Sequence, residues 1–231
     1  MTKLCLPILV ALLSFSTVIT AQIFGLNGQL FTRGLAIIDS PAPSSTLHAG
    51  STVGIAVDIS GDGHLPASAA TPGTKDSTRF DSLEIYFVSF PNSINLTVSG
   101  PDANLLGQEA GSTVKHVNYN ISSCVPAGQY NLSFYEVSHI SDQQFFIISN
   151  IPVEIQNTNQ QGGCNNTNAL DGSPQIDDAP SQSPWLLTAD GTTSIAASPT
   201  ATGKSGAVRF ETSYVASVLS LLALIYALTS W

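Results

Sequence analysis

The sequence predicts an all-β protein: a single immunoglobulin-like β-sandwich of seven or eight strands, followed by a disordered Ser/Thr-rich stalk. Three observations predict this organisation. Apolar residues alternate with period two between residues 31 and 157, and helical periodicity is absent there. Turn-forming residues separate the alternating runs. Beyond residue 157 the composition becomes typical of segments that do not fold on their own.

The alternation places eight strands in the region 31–157. Apolar residues occupy every second position between residues 52 and 59, which predicts a strand with one buried face. Residues 82–89 are apolar on both faces, which predicts a central strand. Short strands in this number are typical of two packed sheets. The predicted strands are 34–38, 52–59, 82–89, 93–98, 112–121, 128–136, 143–149 and 151–156.

The composition excludes several classes of protein. Of the 231 residues, 10 % are charged and 43 % are hydrophobic, whereas about 25 % of the residues in a cytosolic domain are charged. The apolar residues concentrate at the two ends of the chain, and the middle is rich in Ser, Thr, Asn and Gly. This distribution excludes a plain cytosolic domain and a protein that crosses a membrane many times.

Residues 1–21 form a predicted signal peptide. Lys3 supplies the positive start, and an apolar stretch runs from Leu4 to Ile19. The small residues that end at Ala21 provide a cleavage site, so the mature chain would begin at Gln22. A buried helix and a membrane anchor are the alternatives for this stretch.

Residues 206–231 are predicted to be the propeptide that is removed when a glycosylphosphatidylinositol (GPI) anchor is attached. The apolar run 215–228 has 14 residues, whereas a membrane-spanning helix needs roughly 20. A spacer comes before the run, and three small residues come before the spacer, which is the pattern of GPI attachment. Ser205 is the predicted attachment residue, with Gly203 as the second choice. A short type I membrane span is the alternative.

The two cleavages would leave residues 22–205 as the mature chain. It carries five basic and 15 acidic residues, a net charge of −10. Such a surface repels phosphate backbones, so a nucleic-acid partner is not expected. Residues 158–205 form the predicted stalk, because 30 of these 48 residues are Ser, Thr, Pro, Gly, Asn or Gln. The apolar patch Trp185-Leu-Leu187 is interpreted as accidental, with a weak docking site as the alternative.

The cysteines and the glycosylation motifs agree with an extracellular location. Cys5 leaves with the signal peptide, so Cys124–Cys164 is the only intramolecular disulfide available to the mature chain. Two free or intermolecular thiols are the alternative. Four Asn-x-Ser/Thr sequons are predicted N-glycosylation sites, and the first three lie on the polar phase of predicted strands. Their acceptor residues are Asn95, Asn120, Asn131 and Asn165.

The sequence predicts no catalytic residue, no metal site and no cofactor. The four histidines do not occur at metal-ligand spacing. The segment Asp58 to Gly63 resembles the first half of a calcium loop, but Ala69 stands where a bidentate acid is required. Two glutamates would have to approach within about 5–10 Å to form a glycosidase pair, and the sequence does not indicate which. The glutamates considered are Glu84, Glu109, Glu136 and Glu154.

Three segments resemble a known family. Ile38-Asp-Ser-Pro41 and Leu47-His-Ala-Gly-Ser-Thr52-Val resemble the opening of the fungal Kre9/Knh1-like N-terminal module, and Val125-Pro-Ala-Gly-Gln-Tyr130-Asn-Leu resembles its late strand. The resemblance covers residues 34–157 and extends to fungal Ser/Thr-rich, GPI-anchored surface proteins. The Thr-Trp/Tyr step that usually follows the strand is missing. The resemblance implies a role in β-1,6-glucan assembly and brings no catalytic residues.

These features lead to one principal hypothesis about function. The chain would be a non-enzymatic, GPI-anchored glycoprotein on the extracellular face of the plasma membrane or in the cell wall. It would organise the wall, or bind wall polysaccharide or a surface protein through a sheet face or loops. A wall-glucan-active enzyme and a passive surface spacer are the alternatives.

Overall fold

The structure is a computed structural model that describes residues 24–165, 167–170 and 177–186. The predicted signal peptide, Ser205, the propeptide and residues 187–205 of the predicted stalk lie outside the described residues. Within them, no helix is long and apolar enough to cross a membrane. The strands are β1 (Phe24–Leu26), β2 (Gln29–Phe31), β3 (Ile37–Ser40), β4 (Ser45–His48), β5 (Thr52–Asp58), β6 (Arg79–Ser89), β7 (Ile94–Ser99), β8 (Val114–Asn120), β9 (Gly128–Ile140) and β10 (Gln143–Gln156).

The strands form two five-stranded sheets that pack face to face. Sheet A has the strand order β1-β2-β3-β5-β8, and sheet B has the order β4-β10-β9-β6-β7. Neighbouring strands are antiparallel, except that β4 runs parallel to β10. The prediction of an all-β, immunoglobulin-like sandwich is therefore confirmed. The described residues contain ten strands, two or three more than the sequence predicts.

The main core lies between the sheets and is filled by alternate residues of their strands. The aromatic ring of Phe87 on β6 stacks on Tyr130 of β9, with ring centroids 4.6 Å apart. Full burial of one such side chain contributes about 1.5–3 kcal/mol. The buried core residues include Val53, Ile55, Val57, Ile59, Phe80, Ile85, Phe87, Leu132, Phe134, Ile151, Val153 and Ile155.

The N-terminal hairpin is the first element that the prediction missed. Strands β1 and β2 are joined by Asn27 and Gly28, whose φ angles are 51° and 88°. Positive φ at both central residues defines the hairpin turn that Asn-Gly favours most strongly. The prediction began the sandwich at residue 31, so it left out a hairpin that directly follows the apolar N-terminus. Strand β4 was also missed.

Strand β10 is continuous, although the sequence predicts two strands, 143–149 and 151–156. Pro152 lies inside it and has no N–H to donate. Its carbonyl accepts a hydrogen bond from the Ser44 N–H at 2.6 Å, so this residue points its backbone away from β9. The parallel pairing with β4 begins one residue later, at Val153 and Ser45. The proline therefore removes no hydrogen bond between β10 and β9.

The described stretches of the segment 158–186 lie against the sandwich. Asn168 forms hydrogen bonds with β7, and Asp178 forms an antiparallel bridge with Phe146 of β10. Leu186 is buried in a small apolar cluster with Phe31 and Ile37, separate from the main core. Over these stretches the chain differs from the predicted free stalk, because hydrogen bonds from Asn168 and Asp178 and the burial of Leu186 attach it to the sandwich.

Candidate functional site

A cleft lies at each end of the sandwich. We call one end the Trp185 end, where β6 and β10 begin and where Trp185 packs. The opposite end is called the disulfide end, where β10 finishes close to Cys124 and Cys164. Loops at the ends of a sandwich are free to carry binding residues because the sheets supply the rigid scaffold.

The cleft at the Trp185 end has a volume of about 380 Å³. The connection from β5 to β6, residues 59–78, supplies all of its lining except the indole of Trp185. Long connections in a compact domain are commonly functional. We call this cavity the Trp185 cleft, and it is lined by His64, Leu65, Pro66, Asp76, Ser77, Thr78 and Trp185.

Three contacts fix the indole of Trp185 in the cleft wall. Its Nε1 donates a hydrogen bond to the Leu35 carbonyl at 2.9 Å. Its ring stacks with the His64 imidazole, with centroids 6.1 Å apart and planes 9° apart. Gly61 passes so close that a Cβ there would lie 2.6 Å from the indole, and its φ of +59° also favours glycine. The ring is therefore held in place before any ligand binds.

A buried carboxylate supports the loop that holds Trp185. Glu136, on β9, points into the sandwich and is 2 % exposed. It accepts hydrogen bonds from the N–H groups of Leu35 at 2.7 Å and Ala36 at 3.0 Å. Burial raises the pKa of Glu136, and these two hydrogen bonds oppose that rise. A Cβ at Gly34 would lie 2.5 Å from the carboxylate oxygens, so the loop needs a glycine there.

The lining of the Trp185 cleft also includes polar residues. Asp76 accepts a hydrogen bond from the Ser68 hydroxyl at 2.6 Å, and the Thr78 hydroxyl accepts one from the Ser141 N–H at 3.1 Å. Ser77 adds a hydroxyl. An aromatic ring that shares a cleft with hydroxyl and carboxylate groups suits a ligand with one apolar face and several hydroxyls. A pyranose ring has this character.

The cleft at the disulfide end is smaller, and its lining is polar except for Ala49. Its volume is about 280 Å³, and its lining includes His48, Gln156 and Gln161. Asn157 donates hydrogen bonds from Nδ2 to the carbonyls of Ser123 at 2.9 Å and Val125 at 2.7 Å, which fixes the cleft floor. This cleft lacks an aromatic wall, so it offers a sugar ring less contact area than the Trp185 cleft.

The disulfide expected from the sequence is present. Cys124 and Cys164 are bonded, with their Cα atoms 5.1 Å apart and 40 residues apart in sequence. Cys164 lies beyond the last strand, so the bond fastens the start of the C-terminal segment to the loop that follows β8. It thereby fixes the segment next to the polar cleft.

The four glutamates do not converge in the described part of the chain. Glu136 faces the interior, and Glu109 binds His116 at 3.1 Å beside β8 of sheet A. Glu84 accepts a hydrogen bond from the Tyr86 hydroxyl at 2.6 Å, which together with burial raises the pKa of Tyr86 to about 12. The strand register places Glu154 about 20 Å further along sheet B than Glu84, too far for a glycosidase pair.

The remaining sequence candidates for metal binding also lie apart. Within residues 24–165, 167–170 and 177–186 no three His, Cys, Asp or Glu side chains form a group that could hold a metal ion. The Asp58 carboxylate instead accepts hydrogen bonds from the N–H of Ser60 at 2.5 Å and its hydroxyl at 2.7 Å. The segment that resembles half a calcium loop is therefore a side-chain-stabilised turn.

The histidines occupy four separate environments. His48 lines the cleft at the disulfide end, and His64 stacks on Trp185. His116 contacts Glu109, and Nδ1 of His139 lies 2.8 Å from Asp81. Their separation agrees with their irregular spacing in the sequence.

The structure places the four sequon residues in different surroundings. Asn120 and Asn165 are exposed, and Asn95 and Asn131 are half-buried. The register sets Asn95 and Asn131 on either side of Val88, across three neighbouring strands of sheet B. As their phase predicts, all three strand residues alternate with inward-facing neighbours such as Ile94 and Leu132.

Comparisons with known proteins identify no family. No family model matches the chain, and no curated protein matches it. Among solved structures, the chain is similar to one described as fibronectin(III)-like modules of Clostridium thermocellum CbhA, with 16 % identity and a TM-score of 0.28. That match covers 53 % of this chain and 46 % of the other, so it spans about half of each.

Sequence reasoning interpreted the Trp185 patch as accidental and kept a weak docking site only as the alternative. This patch of three apolar residues is too short to show periodicity, and it lies within a polar segment. One signal could have found it: a tryptophan is large and is rarely left fully exposed. The glycine it requires, Gly61, stands in a turn more than 120 residues earlier, so no local pattern connects the two.

Proposed function

We propose that this chain is a GPI-anchored, non-enzymatic surface glycoprotein that binds cell-wall polysaccharide in the Trp185 cleft. The observation that carries the proposal is the fixed indole of Trp185 in the same cleft as the polar residues Asp76, Ser77 and Thr78. A preformed aromatic side chain binds a sugar ring without losing conformational entropy of its own. The neighbouring hydroxyls and carboxylate select for hydroxyl groups.

The charge of the chain favours a neutral polysaccharide over an anionic one. The mature chain predicted from the sequence has a net charge of −10, and such a surface repels a polymer of the same sign. The cleft volume of about 380 Å³ suits a short stretch of a chain more than a protein surface, which would need a larger contact area. We therefore expect a neutral glucan.

The arrangement of carboxylates supports binding without cleavage. Asp76 is the one carboxylate in the described lining of the Trp185 cleft, and Ser68 already occupies one of its oxygens. Glycoside hydrolysis needs two carboxyl groups on opposite sides of the bond. A wall-glucan-active enzyme is therefore the weaker interpretation of this cleft.

The terminal segments support the location. An apolar start with a small-residue cleavage site and a short apolar tail preceded by small residues are the two signals of a GPI-anchored protein. Phosphatidylinositol-specific phospholipase should release the protein from intact cells into the medium. A protein that stays in the membrane fraction after this treatment would contradict the anchor and favour the short membrane span.

Binding is tested with the mature glycoprotein and soluble β-1,6- and β-1,3-glucan oligosaccharides in a titration calorimeter. We expect Trp185→Ala to weaken binding at least tenfold, because it removes the aromatic wall. Trp185→Phe keeps a ring and should retain part of the affinity. Ser77→Ala should reduce affinity with little effect on stability, because the described structure shows no hydrogen bond from its side chain to the rest of the protein.

The matched control is Phe90→Ala, which removes another aromatic side chain. Phe90 is 63 % exposed and follows β6 at the disulfide end, away from the Trp185 cleft. This variant should bind like the wild type. Equal affinity of wild type and Trp185→Ala, or equal losses in Trp185→Ala and Phe90→Ala, would contradict the assignment of the cleft.

A further inference from the structure

The sequon at Asn95 is covered by another part of the same chain. The Asn168 N–H donates to the Asn95 carbonyl at 2.7 Å, and Asn95 Nδ2 donates to the Ala169 carbonyl at 3.0 Å. Asn168 Nδ2 also donates to the Thr97 hydroxyl oxygen at 2.9 Å. Three hydrogen bonds therefore join residues 168–169 to one sequon.

Two of these bonds involve the atoms on which N-glycosylation depends. The sugar is attached to the side-chain nitrogen of the asparagine, and the hydroxyl residue two positions later completes the acceptor motif. In this sequon Asn95 Nδ2 and the Thr97 hydroxyl are both hydrogen-bonded to the C-terminal segment. The Asn95 Oδ1 atom is buried without a partner among the described residues, so the amide is enclosed on that side as well.

The other three sequons do not have this arrangement in the described part of the structure. Asn120 and Asn165 are exposed. Asn131 is half-buried, and the hydroxyl of its sequon, on Ser133, donates to Asn150 Oδ1 at 2.7 Å, within the same sheet face. Asn95 thus differs from them in the contact it makes with a distant segment.

We propose that docking of residues 168–169 and N-glycosylation of Asn95 exclude each other. Glycosylation replaces one of the two Nδ2 hydrogens by a pyranose, which would crowd Ala169, 3.0 Å from that nitrogen, because the amide is already enclosed at Oδ1. Each molecule therefore has either an unmodified Asn95 with residues 168–169 docked, or a glycan on Asn95 with these residues released. The proposal requires passage through the secretory pathway and so rests on the proposed function.

Both states protect the same edge of sheet B. Strand β7 is the last strand of that sheet, and its outer backbone groups would otherwise be open to pairing with another chain. In the docked state the Asn168 N–H donates a hydrogen bond to the Asn95 carbonyl on this edge. In the modified state a bulky, solvated glycan would stand beside it. The exchange of one cover for the other would free residues 168–169 from strand β7.

The test uses the full mature chain with the substitutions Asn120→Gln, Asn131→Gln and Asn165→Gln, in which Asn95 is the remaining acceptor of the four. Mass spectrometry measures the occupancy of Asn95, and the two forms are separated on a lectin column. Hydrogen exchange then reports the Asn168 amide. We expect this amide to exchange roughly tenfold or more slowly in the unmodified form, because only there is it hydrogen-bonded.

Two further results test the proposal if only the glycosylated or only the unmodified form of Asn95 is obtained. If every molecule is unmodified, Asn168→Pro, which removes both the backbone and the side-chain donor of Asn168, should produce glycosylated Asn95. The control Gln160→Pro, in the same segment but outside the contact, should not. If every molecule is modified, the Asn168 amide should exchange freely. A slow Asn168 amide in the glycosylated form, or unmodified Asn95 in Asn168→Pro, would overturn the proposal.

Glycan analysis of the unsubstituted protein distinguishes a failure of the mutual exclusion from a failure of the proposed function. Glycans at Asn120, Asn131 or Asn165 show that the chain enters the secretory pathway, whatever happens at Asn95. In that case a negative result above overturns only the mutual exclusion. A chain without glycans at any of the four sites would overturn the proposed function and this inference with it.

Discussion

The C-terminal segment is fastened to both ends of the sandwich, but by different forces. At the disulfide end, Cys164 is bonded covalently to Cys124, and both cysteines pack against the main core. At the Trp185 end, Trp185 and Leu186 are held by apolar burial and by one hydrogen bond, to Leu35. The covalent contact depends on two residues, whereas the apolar contact depends on a surface that several distant strands must build. The first can be read from a sequence and the second cannot.

The largest expected effect comes from breaking the covalent contact. Cys164→Ala should lower the free energy of unfolding by about 4 kcal/mol, because a loop of about 40 residues is no longer closed in the unfolded chain. Urea unfolding of the purified mature protein measures this. The double variant Cys124→Ala/Cys164→Ala is the control without a free thiol, and it should lose the same amount. Unchanged stability of the double variant would contradict a stabilising disulfide.

The apolar contact should contribute less. Trp185→Ala should cost about 3 kcal/mol and Leu186→Ala about 2 kcal/mol, since each leaves a cavity in a small cluster at the rim of the fold. Both should also increase proteolysis near residue 186. Phe90→Ala serves as the control and should stay within about 0.5 kcal/mol of the wild type, because Phe90 is exposed. Equal stability of all three variants would show that the Trp185 end is not fastened.

The smallest expected effect is a pH dependence of the free energy of unfolding. It originates at Glu136, which supports the loop that holds Trp185. Burial raises the pKa of Glu136 above its ordinary value of 4.5, so the folded state binds its proton more tightly than the unfolded state. This contribution to stability is fully present below pH 4.5 and is lost as the pH rises through the folded-state pKa. Unfolding in urea at a series of pH values measures it.

Glu136→Gln is the matched variant for the pH series, because it keeps the shape but does not titrate. The stability of the wild type relative to Glu136→Gln should fall as the pH rises from about 4 to about 7. Asp39, whose pKa burial also raises, titrates in both proteins and cancels in the comparison. A stability difference that stays constant, or that grows with pH, would contradict a raised pKa at Glu136.

The inner faces of the sheets could be predicted because strand alternation is local. Val53, Ile55 and Val57 indicate a buried face within five residues, and the structure buries all three. The N-terminal hairpin was also within reach of prediction, since Asn27-Gly28 is a strong turn signal. Strand β4 could not be predicted, because its alternating half-buried and exposed residues form a strand only by pairing with β10.

The amino-acid sequence was sufficient to predict the fold class, the pairing of Cys124 with Cys164 and the outward phase of Asn95 and Asn131, because each follows from alternation or from counting. The place of Trp185 in a cleft wall and the cover of a sequon by Asn168 became visible only in the folded chain. Those contacts join residues more than 70 positions apart. They depend on the surfaces that the packed sheets present. The C-terminal segment can bind to these surfaces only after the sheets have formed.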